Sequence, residues 1–180
     1  MNALLIDHDD SFTFNLLHWL RGLTDSVEII NHSKIRDQNF SNFDFIVLSP
    51  GPKNPQDYPN IINWLNTINP HKPIFGVCLG MQLMTIASNG SVTSYAPPRH
   101  GKKSVLNSEN PVLNKIAVAR YHSLKCMGLD QFKILATSDD IPMLIQHQEK
   151  KWLGIQFHPE SFLTEKTYLF QNFLNNWICT

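Results

Sequence analysis

The chain has 180 residues, of which 42% are hydrophobic and 17% are charged. This length and this apolar content favour one compact domain with a sizeable core, and they exclude a charge-rich disordered chain. The 15 Lys and Arg residues equal the 15 Asp and Glu residues, so the formal net charge is zero with histidine neutral. Because no basic excess exists, we expect neither nucleic acid nor an anionic membrane as a partner.

The cysteine pattern is typical of a reducing compartment. Cys78, Cys126 and Cys179 form no C-x-x-C pair, and three scattered cysteines make neither a disulfide framework nor a zinc motif. The N-terminal apolar run stops at residues 7–10, too early for a secretion signal, and no run approaches the roughly 18 apolar residues of a membrane span. We therefore expect a cytoplasmic protein with free thiols.

In the first half of the chain, short apolar runs alternate with segments of helical period. The runs have the length and composition of strands buried in a parallel sheet. We predict strands at residues 3–7, 27–30, 43–49 and 73–77, and helices at residues 11–21, 58–69 and 79–88. Asp10 or Ser11 is the expected N-cap of the first helix. The alternation predicts a parallel sheet covered by helices on both faces.

The second half of the chain has a different pattern. Residues 90–115 show no clear period and contain several prolines. Strand-like runs follow at residues 116–119, 132–137, 143–147 and 152–157, and a helical segment closes the chain at residues 164–177. We interpret residues 1–180 as a single α/β domain, with a mostly parallel sheet flanked by helices and a small antiparallel extension.

The sharpest chemical signal is the run Gly76-Val77-Cys78-Leu79-Gly80, at the junction of a predicted strand and helix. It has the pattern of a nucleophile elbow with Cys in place of Ser, in which flanking glycines relieve the clash of a tight turn. The turn presents Cys78 at a helix N-terminus, where backbone amides favour an anion, and places the Leu79 N–H to donate to an oxyanion. The alternative is a buried structural cysteine between two glycines.

Two further motifs could complete a site. His158-Pro159-Glu160 follows a predicted strand, so its imidazole and carboxylate point to one side of an extended chain. A carboxylate beside a histidine fixes the histidine tautomer, as in a triad of nucleophile, base and orienting acid. Ser49-Pro50-Gly51-Pro52 follows another predicted strand, and Gly51 lets a backbone N–H approach a ligand closely. Taken alone, either motif could be an ordinary surface turn or loop.

Together, the three motifs resemble those of the class I, or triad, glutamine amidotransferases. Further similar segments run in order along nearly the whole chain: Asp7-His8-Asp9-Asp10-Ser11-Phe12-Thr13-Phe14-Asn15-Leu16, His100-Gly101-Lys102, Arg120-Tyr121-His122-Ser123-Leu124 and Phe162-Leu163-Thr164-Glu165. They resemble segments of one subgroup, the glutaminase components of anthranilate synthase and aminodeoxychorismate synthase. The resemblance implies a flavodoxin-like α/β fold.

The resemblance also implies a role for each matched residue. Cys78 would attack the glutamine carboxamide and form a glutamyl thioester, His158 would carry the proton, and Glu160 would orient His158. The backbone amides of Leu79 and Gly51 would form the oxyanion hole. The residues expected to bind L-glutamine are Gly51, Lys53, Gln82, Ser123 and Leu124.

The same resemblance implies a partner. Ammonia would pass to a separate synthase subunit that binds chorismate, since 180 residues leave no room for the synthase itself. No metal or organic cofactor is implied for the glutaminase half. Both pathways use the same motifs, and we lean slightly towards aminodeoxychorismate synthesis or a role shared by both.

Several positions depart from the subgroup pattern. Lys53 stands where glycine is usual, and a positive φ there would strain a lysine by ~1 kcal/mol or more. Met81 replaces a common His, and His8 replaces the usual Asn. Asn89-Gly90 stands where a Gly-Gly pair is common, and the segment at residues 90–111 is shorter than is typical. Two alternatives stay open: a weak or inactive amidotransferase-like regulatory or binding subunit, and a cysteine-dependent α/β hydrolase.

Overall fold

The computed structural model describes residues 1–180. Its strands are β1 (Asn2–Asp7), β2 (Ser26–Asn31), β3 (Phe45–Leu48), β4 (Ile74–Val77), β5 (Ser91–Ser94), β6 (Lys102–Val105), β7 (Asn107–Ser108), β8 (Ala117–Arg120), β9 (Leu124–Met127), β10 (Phe132–Ser138), β11 (Ile141–His147) and β12 (Trp152–Ile155). Its α-helices are α1 (Thr13–Leu20), α2 (Pro59–Leu65), α3 (Leu79–Ala87) and α4 (Thr167–Cys179). Two 3-10 turns lie at His32–Asp37 and Pro55–Asp57.

Eight of the strands form one sheet, in the order β2-β1-β3-β4-β12-β11-β10-β7. The strands from β2 to β12 in this order pair in parallel, and those beyond β12 pair antiparallel. The pairs β5–β9 and β6–β8 form two small antiparallel sheets. The predicted fold class, a mostly parallel sheet with helices and a small antiparallel extension, is confirmed.

The four inner parallel strands, β1, β3, β4 and β12, are buried on both faces of the sheet, which explains their nearly continuous apolar sequence. β2, at the edge, is exposed or half-buried along its length. Along β1, Ala3 and Leu5 belong to the apolar cluster under α1 and α4. Leu4 and Ile6 belong to the cluster on the other face, under α2 and α3. Each face is therefore closed by its own pair of helices.

None of the four helices is long and apolar enough to cross a membrane.

The first helix begins two residues later than predicted, and neither Asp10 nor Ser11 is its N-cap. Phe12 occupies that position and makes no side-chain hydrogen bond to the helix. The cause is a compact turn before the helix, in which the Asp7 carboxylate accepts from the Thr13 hydroxyl at 2.6 Å. The Asp10 carboxylate accepts from the Phe12 N–H at 2.8 Å, so it stabilises this turn and not the helix end.

The bounds of α2 and α4 also differ from the prediction, chiefly at the end of α2 and the start of α4. α2 ends four residues before its predicted end, where the Thr67 hydroxyl donates to the Trp64 carbonyl at 3.0 Å. At the end of α2, the side-chain hydroxyl shares the Trp64 carbonyl with backbone N–H groups of the last turn. α4 begins three residues after its predicted start, because Lys166 adopts the left-handed conformation with φ 50° and ψ 43°, which a right-handed helix cannot pass through.

Four strands are absent from the prediction: β5, β6, β7 and β9. Most of their side chains are exposed or half-buried, so no run of apolar residues marks them. Pairing between distant segments, such as β5 with β9, forms these strands, and local sequence does not. The eight strands that the sequence does predict are confirmed to within two residues at each end.

Gly80 brings α3 close to the sheet. A Cβ atom added at Gly80 would lie 2.6 Å from the carbonyl oxygen of Leu48 in β3. A Cβ atom added at Gly76, in the strand that leads into α3, would lie 2.6 Å from the carbonyl carbon of Gly80. Both contacts are with backbone atoms that cannot rotate aside, so the two glycines set the distance between α3 and the sheet.

We expect Gly80→Ala to lower the free energy of unfolding by about 1–3 kcal/mol, because the new methyl group overpacks against fixed backbone. Urea unfolding followed by circular dichroism measures this change. Gly22→Ala is the matched control, since its added Cβ would meet chiefly the end of the flexible Gln171 side chain. The control should lose less than about 1 kcal/mol. A Gly80→Ala protein as stable as the wild type would contradict the account of this contact.

Candidate active site

Cys78 lies between β4 and α3, at the carboxyl edge of the parallel strands. It is the N-cap residue of α3, with φ 52° and ψ −100°, a conformation that strains any residue with a Cβ atom. Its N–H donates to the Ile155 carbonyl of β12 at 2.7 Å, and only 7% of the residue is exposed. The neighbouring strand therefore fixes the strained turn that the elbow motif predicts.

The backbone amides after Cys78 open α3. The first N–H groups of a helix have no partner within it, and they carry a partial positive charge. Leu79 is the first residue of α3, and its Cδ2 atom lies 2.2 Å from the place that a Cβ of Gly51 would occupy. A Cβ atom at position 51 would have to displace the Leu79 side chain, so the two residues predicted to form the oxyanion hole are packed against each other.

The chain that follows β12 brings His158 and Glu160 to the same edge of the sheet. His158 Nδ1 and Glu160 Oε1 lie 2.8 Å apart, and both side chains are buried. The His158 N–H donates to the Ala119 carbonyl at 3.0 Å, and the His158 carbonyl accepts from the Thr164 hydroxyl at 2.6 Å. Both backbone groups of His158 are thus anchored.

The charge of His158 is governed by its neighbours. Burial alone would lower the pKa of His158, but attraction to the Glu160 carboxylate and contact with Cys78 together raise this pKa well above its usual value. The other ring nitrogen, Nε2, is buried and has no aligned hydrogen-bond partner within the protein. The imidazole can therefore hold a proton beside the thiol while Glu160 stabilises its charge.

Two aromatic side chains hold the imidazole from the side. The Phe12 and Tyr121 rings lie 5.3 and 5.0 Å from the His158 ring, each edge-on to it. The Tyr121 hydroxyl shares a hydrogen bond of 3.0 Å with the Ser161 hydroxyl, which follows the His-Pro-Glu motif. Sequence analysis assigned neither ring a role, although both residues lie in segments that carry the family resemblance.

A pocket of about 290 Å³ opens beside the thiol. The predicted site residues that line it are Gly51, Lys53, Cys78, Gln82, Ser123, Leu124 and His158. Leu79 and Glu160 lie directly behind this wall, where they contact Gly51 and His158. The structure thus brings all the predicted site residues to one edge of the sheet.

No group of three or more His, Cys, Asp or Glu side chains is arranged to hold a metal ion.

The expectation that Lys53 could be strained is wrong. The backbone of Lys53 lies outside the positive-φ region, so a lysine fits this position as well as the usual glycine does. The residue is exposed at the mouth of the pocket, where it adds a positive charge. The departure from the family pattern therefore changes the chemistry of the pocket mouth and not its backbone.

A buried pair of glutamines connects the pocket wall to the thiol. Gln156 Nε2 donates to Cys78 Sγ at 3.4 Å, and Gln82 Nε2 donates to Gln156 Oε1 at 3.3 Å. Both side chains are almost completely buried. Sequence analysis missed Gln156. The available signal was its place two residues before His158 on an extended segment, which puts both side chains on one side.

The segment after β8 forms another wall of the pocket, and the fully buried Arg120 behind it holds this segment in place. The Arg120 guanidinium donates to Asp139 at 2.8 Å and, through Nε, to His122 Nε2 at 3.0 Å. Burial and the Arg120 charge lower the pKa of His122 to about 4, so this imidazole is neutral. Its Nδ1–H therefore donates to the Leu124 carbonyl at 2.7 Å. The chain of contacts holds the backbone predicted to bind glutamine.

Sequence comparison places this geometry in a known family. Residues 4–177 match the family model described as glutamine amidotransferase class-I. The chain is 37% identical over 185 residues to anthranilate synthase component 2 of Cyanophora paradoxa, with 96% of this chain and 97% of that protein covered. It is 33% identical over 181 residues to anthranilate synthase component 2 of Halobacterium salinarum, with 91% of each covered.

Solved structures with low sequence identity share the fold. A Thermoplasma acidophilum protein, provisionally described as part of a GMP synthase, matches with a TM-score of 0.85 at 22% identity, covering 99% of this chain and 94% of that one. A glutamine amidotransferase from Thermotoga maritima matches with a TM-score of 0.72 at 15% identity and the same coverage. With a family match that spans nearly the whole sequence, the chain belongs to the class I glutamine amidotransferases.

Proposed function

We propose that this chain is a glutaminase subunit that hydrolyses L-glutamine to glutamate and ammonia through a triad of Cys78, His158 and Glu160. One observation carries the proposal: a cysteine in a strained turn at a helix N-terminus shares a pocket with a buried His–Glu pair. Family membership supplies the class of reaction, and the geometry supports these side chains as the groups that perform it.

In the first half of the reaction, the thiol proton of Cys78 passes to His158, and the sulfur attacks the side-chain carbonyl carbon of glutamine. The carbonyl oxygen becomes an oxyanion that accepts hydrogen bonds from the N–H groups of Leu79 and Gly51. When this tetrahedral species collapses, the carbon–nitrogen bond breaks and His158 gives its proton to the leaving nitrogen. Ammonia departs and a glutamyl thioester remains on Cys78.

In the second half, a water molecule attacks the thioester carbon while His158 accepts a proton from it. The carbon–sulfur bond then breaks, glutamate leaves, and His158 returns the proton to the Cys78 sulfur. Glu160, at 2.8 Å from His158 Nδ1, stabilises the imidazolium in both halves. The Gln156 amide, which donates to the resting sulfur, is placed to steady it between the steps.

Substrate binding is proposed to use the rest of the pocket lining. Gln82 and the backbone groups of Ser123 and Leu124 would hold the glutamine molecule, and Gly51 would approach its reacting carbonyl. Lys53 at the pocket mouth offers a positive charge that suits the α-carboxylate of an amino acid. The zwitterionic substrate would thus enter with its side chain towards Cys78.

We further propose that the ammonia serves a chorismate-using synthase on another chain. The relatives named above are second components of anthranilate synthase, and that name implies a first component. Phe14 and Phe162 are 69% and 92% exposed. Phe162 lines a separate cleft together with Glu160. Exposed apolar rings near the site are candidate contacts for a partner protein. Cytoplasmic localisation remains a prediction.

Each alternative to a glutaminase is less well supported. The unstrained backbone of Lys53 removes one reason to propose an inactive regulatory subunit. A cysteine-dependent α/β hydrolase would carry its acid before the histidine in the chain, whereas here Glu160 follows His158 by two residues and bonds to it. The relatives' names favour anthranilate synthesis, and the aminodeoxychorismate or shared role stays a prediction.

Cys78→Ala should abolish glutamine hydrolysis, because no other thiol lies in the pocket. The loss should reach about 10⁴-fold or more, since removal of a nucleophile leaves only the binding and oxyanion terms. Ammonia release from glutamine measures it, with and without a synthase component. Cys179→Ala, at an exposed thiol, is the control that should keep wild-type activity. Hydrolysis that survives Cys78→Ala would contradict the proposal.

Glu160→Gln should reduce kcat/KM for glutamine by about 10²-fold or more, since it removes the charge that stabilises the imidazolium. Because that charge raises the pKa of His158, the substitution should also move the alkaline limb of the pH–rate profile to lower pH. Steady-state rates across pH measure both effects. Glu165→Gln, which removes an exposed carboxylate paired with Lys103, should change neither. An unmoved alkaline limb would count against the role of Glu160.

The identity of the partner is tested by reconstitution. The purified chain is mixed with the chorismate-binding component of either anthranilate synthase or aminodeoxychorismate synthase from the same organism. We expect glutamine-dependent formation of anthranilate, lost when Phe162→Asp places a charge on the exposed ring position. Product formed only with the aminodeoxychorismate component would reverse the pathway assignment.

A further inference from the structure

A buried hydroxyl lies directly behind the proposed oxyanion hole. Ser49 is fully buried, and its Oγ atom has three polar neighbours. The backbone N–H of His8 donates to it at 3.0 Å, His8 Nδ1 lies 3.1 Å away, and the hydroxyl itself donates to the Pro50 carbonyl at 2.7 Å. His8 is also fully buried, so these contacts are made within the protein and away from bulk solvent.

Counting protons fixes the direction of each bond. A serine hydroxyl has one proton to donate and two lone pairs with which to accept. Because its proton goes to the Pro50 carbonyl, both contacts with His8 must be donated to Ser49 Oγ. Burial and the nearby His32 lower the pKa of His8 to about 3, so the ring is neutral and carries a single proton. With the Ser49 proton on the Pro50 carbonyl, the hydrogen-bond pattern assigns that ring proton to Nδ1.

This arrangement determines which way the next peptide group points. In a trans peptide, the carbonyl and the following N–H point in opposite directions. The Pro50 carbonyl is held inward by Ser49, so the Gly51 N–H points outward from that hydroxyl. No backbone or side-chain acceptor of the protein bonds to this N–H, and Gly51 lines the pocket together with Cys78.

His8 is itself held in place from two sides. The Tyr58 hydroxyl donates to the His8 carbonyl at 3.2 Å, and the Tyr58 ring packs edge-on against the imidazole with centroids 5.1 Å apart. A Cβ atom added at Gly51 would lie 3.0 Å from His8 Cβ, so the glycine rests directly on the histidine. The position of Gly51 and the direction of its N–H therefore depend on the same side chain.

We propose that His8 is a positioning residue: through the Ser49 hydroxyl, it holds the Pro50–Gly51 peptide with its N–H directed to the developing oxyanion. The proposal rests on the proposed glutaminase function and deepens it. The opposite orientation would turn the Pro50 carbonyl oxygen towards the oxyanion and would repel it. His8 acts without touching the substrate, and its effect should appear in the chemical step and not in glutamine binding.

The test compares two isosteric replacements. Asn places an amide N–H close to the position of His8 Nδ1–H, whereas Leu has the same shape without a donor. Relative to His8→Asn, His8→Leu should lower kcat for glutamine by about 10- to 100-fold, with KM changed by less than about threefold. Ser49→Ala should match His8→Leu. His8→Asn itself should stay within about threefold of the wild type.

A second measurement separates positioning from damage to the elbow. Alkylation of Cys78 by iodoacetamide develops no oxyanion, so its rate in His8→Leu and Ser49→Ala should stay within about twofold of the wild type. Ser88→Ala is the matched control, a buried serine at the end of α3 whose hydroxyl has no partner. It should change neither rate.

Each other outcome is decisive. Equal kcat values for His8→Leu and His8→Asn, or alkylation that falls in parallel with kcat, would overturn the role of His8. A variant that unfolds before assay, while its isostere with the donor folds, would assign the contact to stability alone and would also overturn it. A wild-type protein without Cys78-dependent hydrolysis would instead show that the proposed function itself is wrong.

Discussion

The strained backbone of Cys78 is the constraint on which the rest of the site depends. A residue with a Cβ atom stays at φ 52° only when surrounding contacts over-determine it, because the strain is of order 1–3 kcal/mol. Here the bond from the Cys78 N–H to the Ile155 carbonyl and the close backbone contact between Gly76 and Gly80 hold the turn. Since α3 rests on the backbone of β3, the thiol cannot move away from the edge at which β12 delivers His158.

Around this fixed thiol, the groups proposed to act on glutamine are each held by a neighbouring buried side chain. Glu160 holds the His158 ring, His122 holds the carbonyl of Leu124, and Ser49 holds the carbonyl of Pro50. Each contact includes a side chain that is almost completely buried. Hydrogen bonds in the protein interior are electrostatically stronger than those at the surface. The proposed oxyanion donors and the proposed proton carrier are therefore oriented before a substrate arrives, which is the arrangement that electrostatic catalysis requires.

The sequence was sufficient to predict the alternation of strands and helices, the elbow, and the His158–Glu160 pair, because each depends on residues close together in the chain. It was not sufficient for contacts between distant segments, such as Gln82 with Gln156 or His8 with Ser49, which are 74 and 41 residues apart. The start of α1 was misplaced for a different reason: Asp7 lies close in the chain, but its carboxylate organises a turn before the helix that the helical period does not indicate. Short exposed strands such as β5 carry no local signal at all.

The most direct test of the central claim is to trap the covalent intermediate. The protein, with a synthase component, is mixed with glutamine, quenched in acid within the first turnovers, digested and examined by mass spectrometry. The triad account predicts a glutamyl group in thioester linkage on the peptide that contains Cys78. This adduct should accumulate in Glu160→Gln when loss of the charge that orients His158 slows the attack of water more than it slows acylation. Glutamine turnover with unmodified Cys78, or with the adduct on Cys126 or Cys179, would contradict the account.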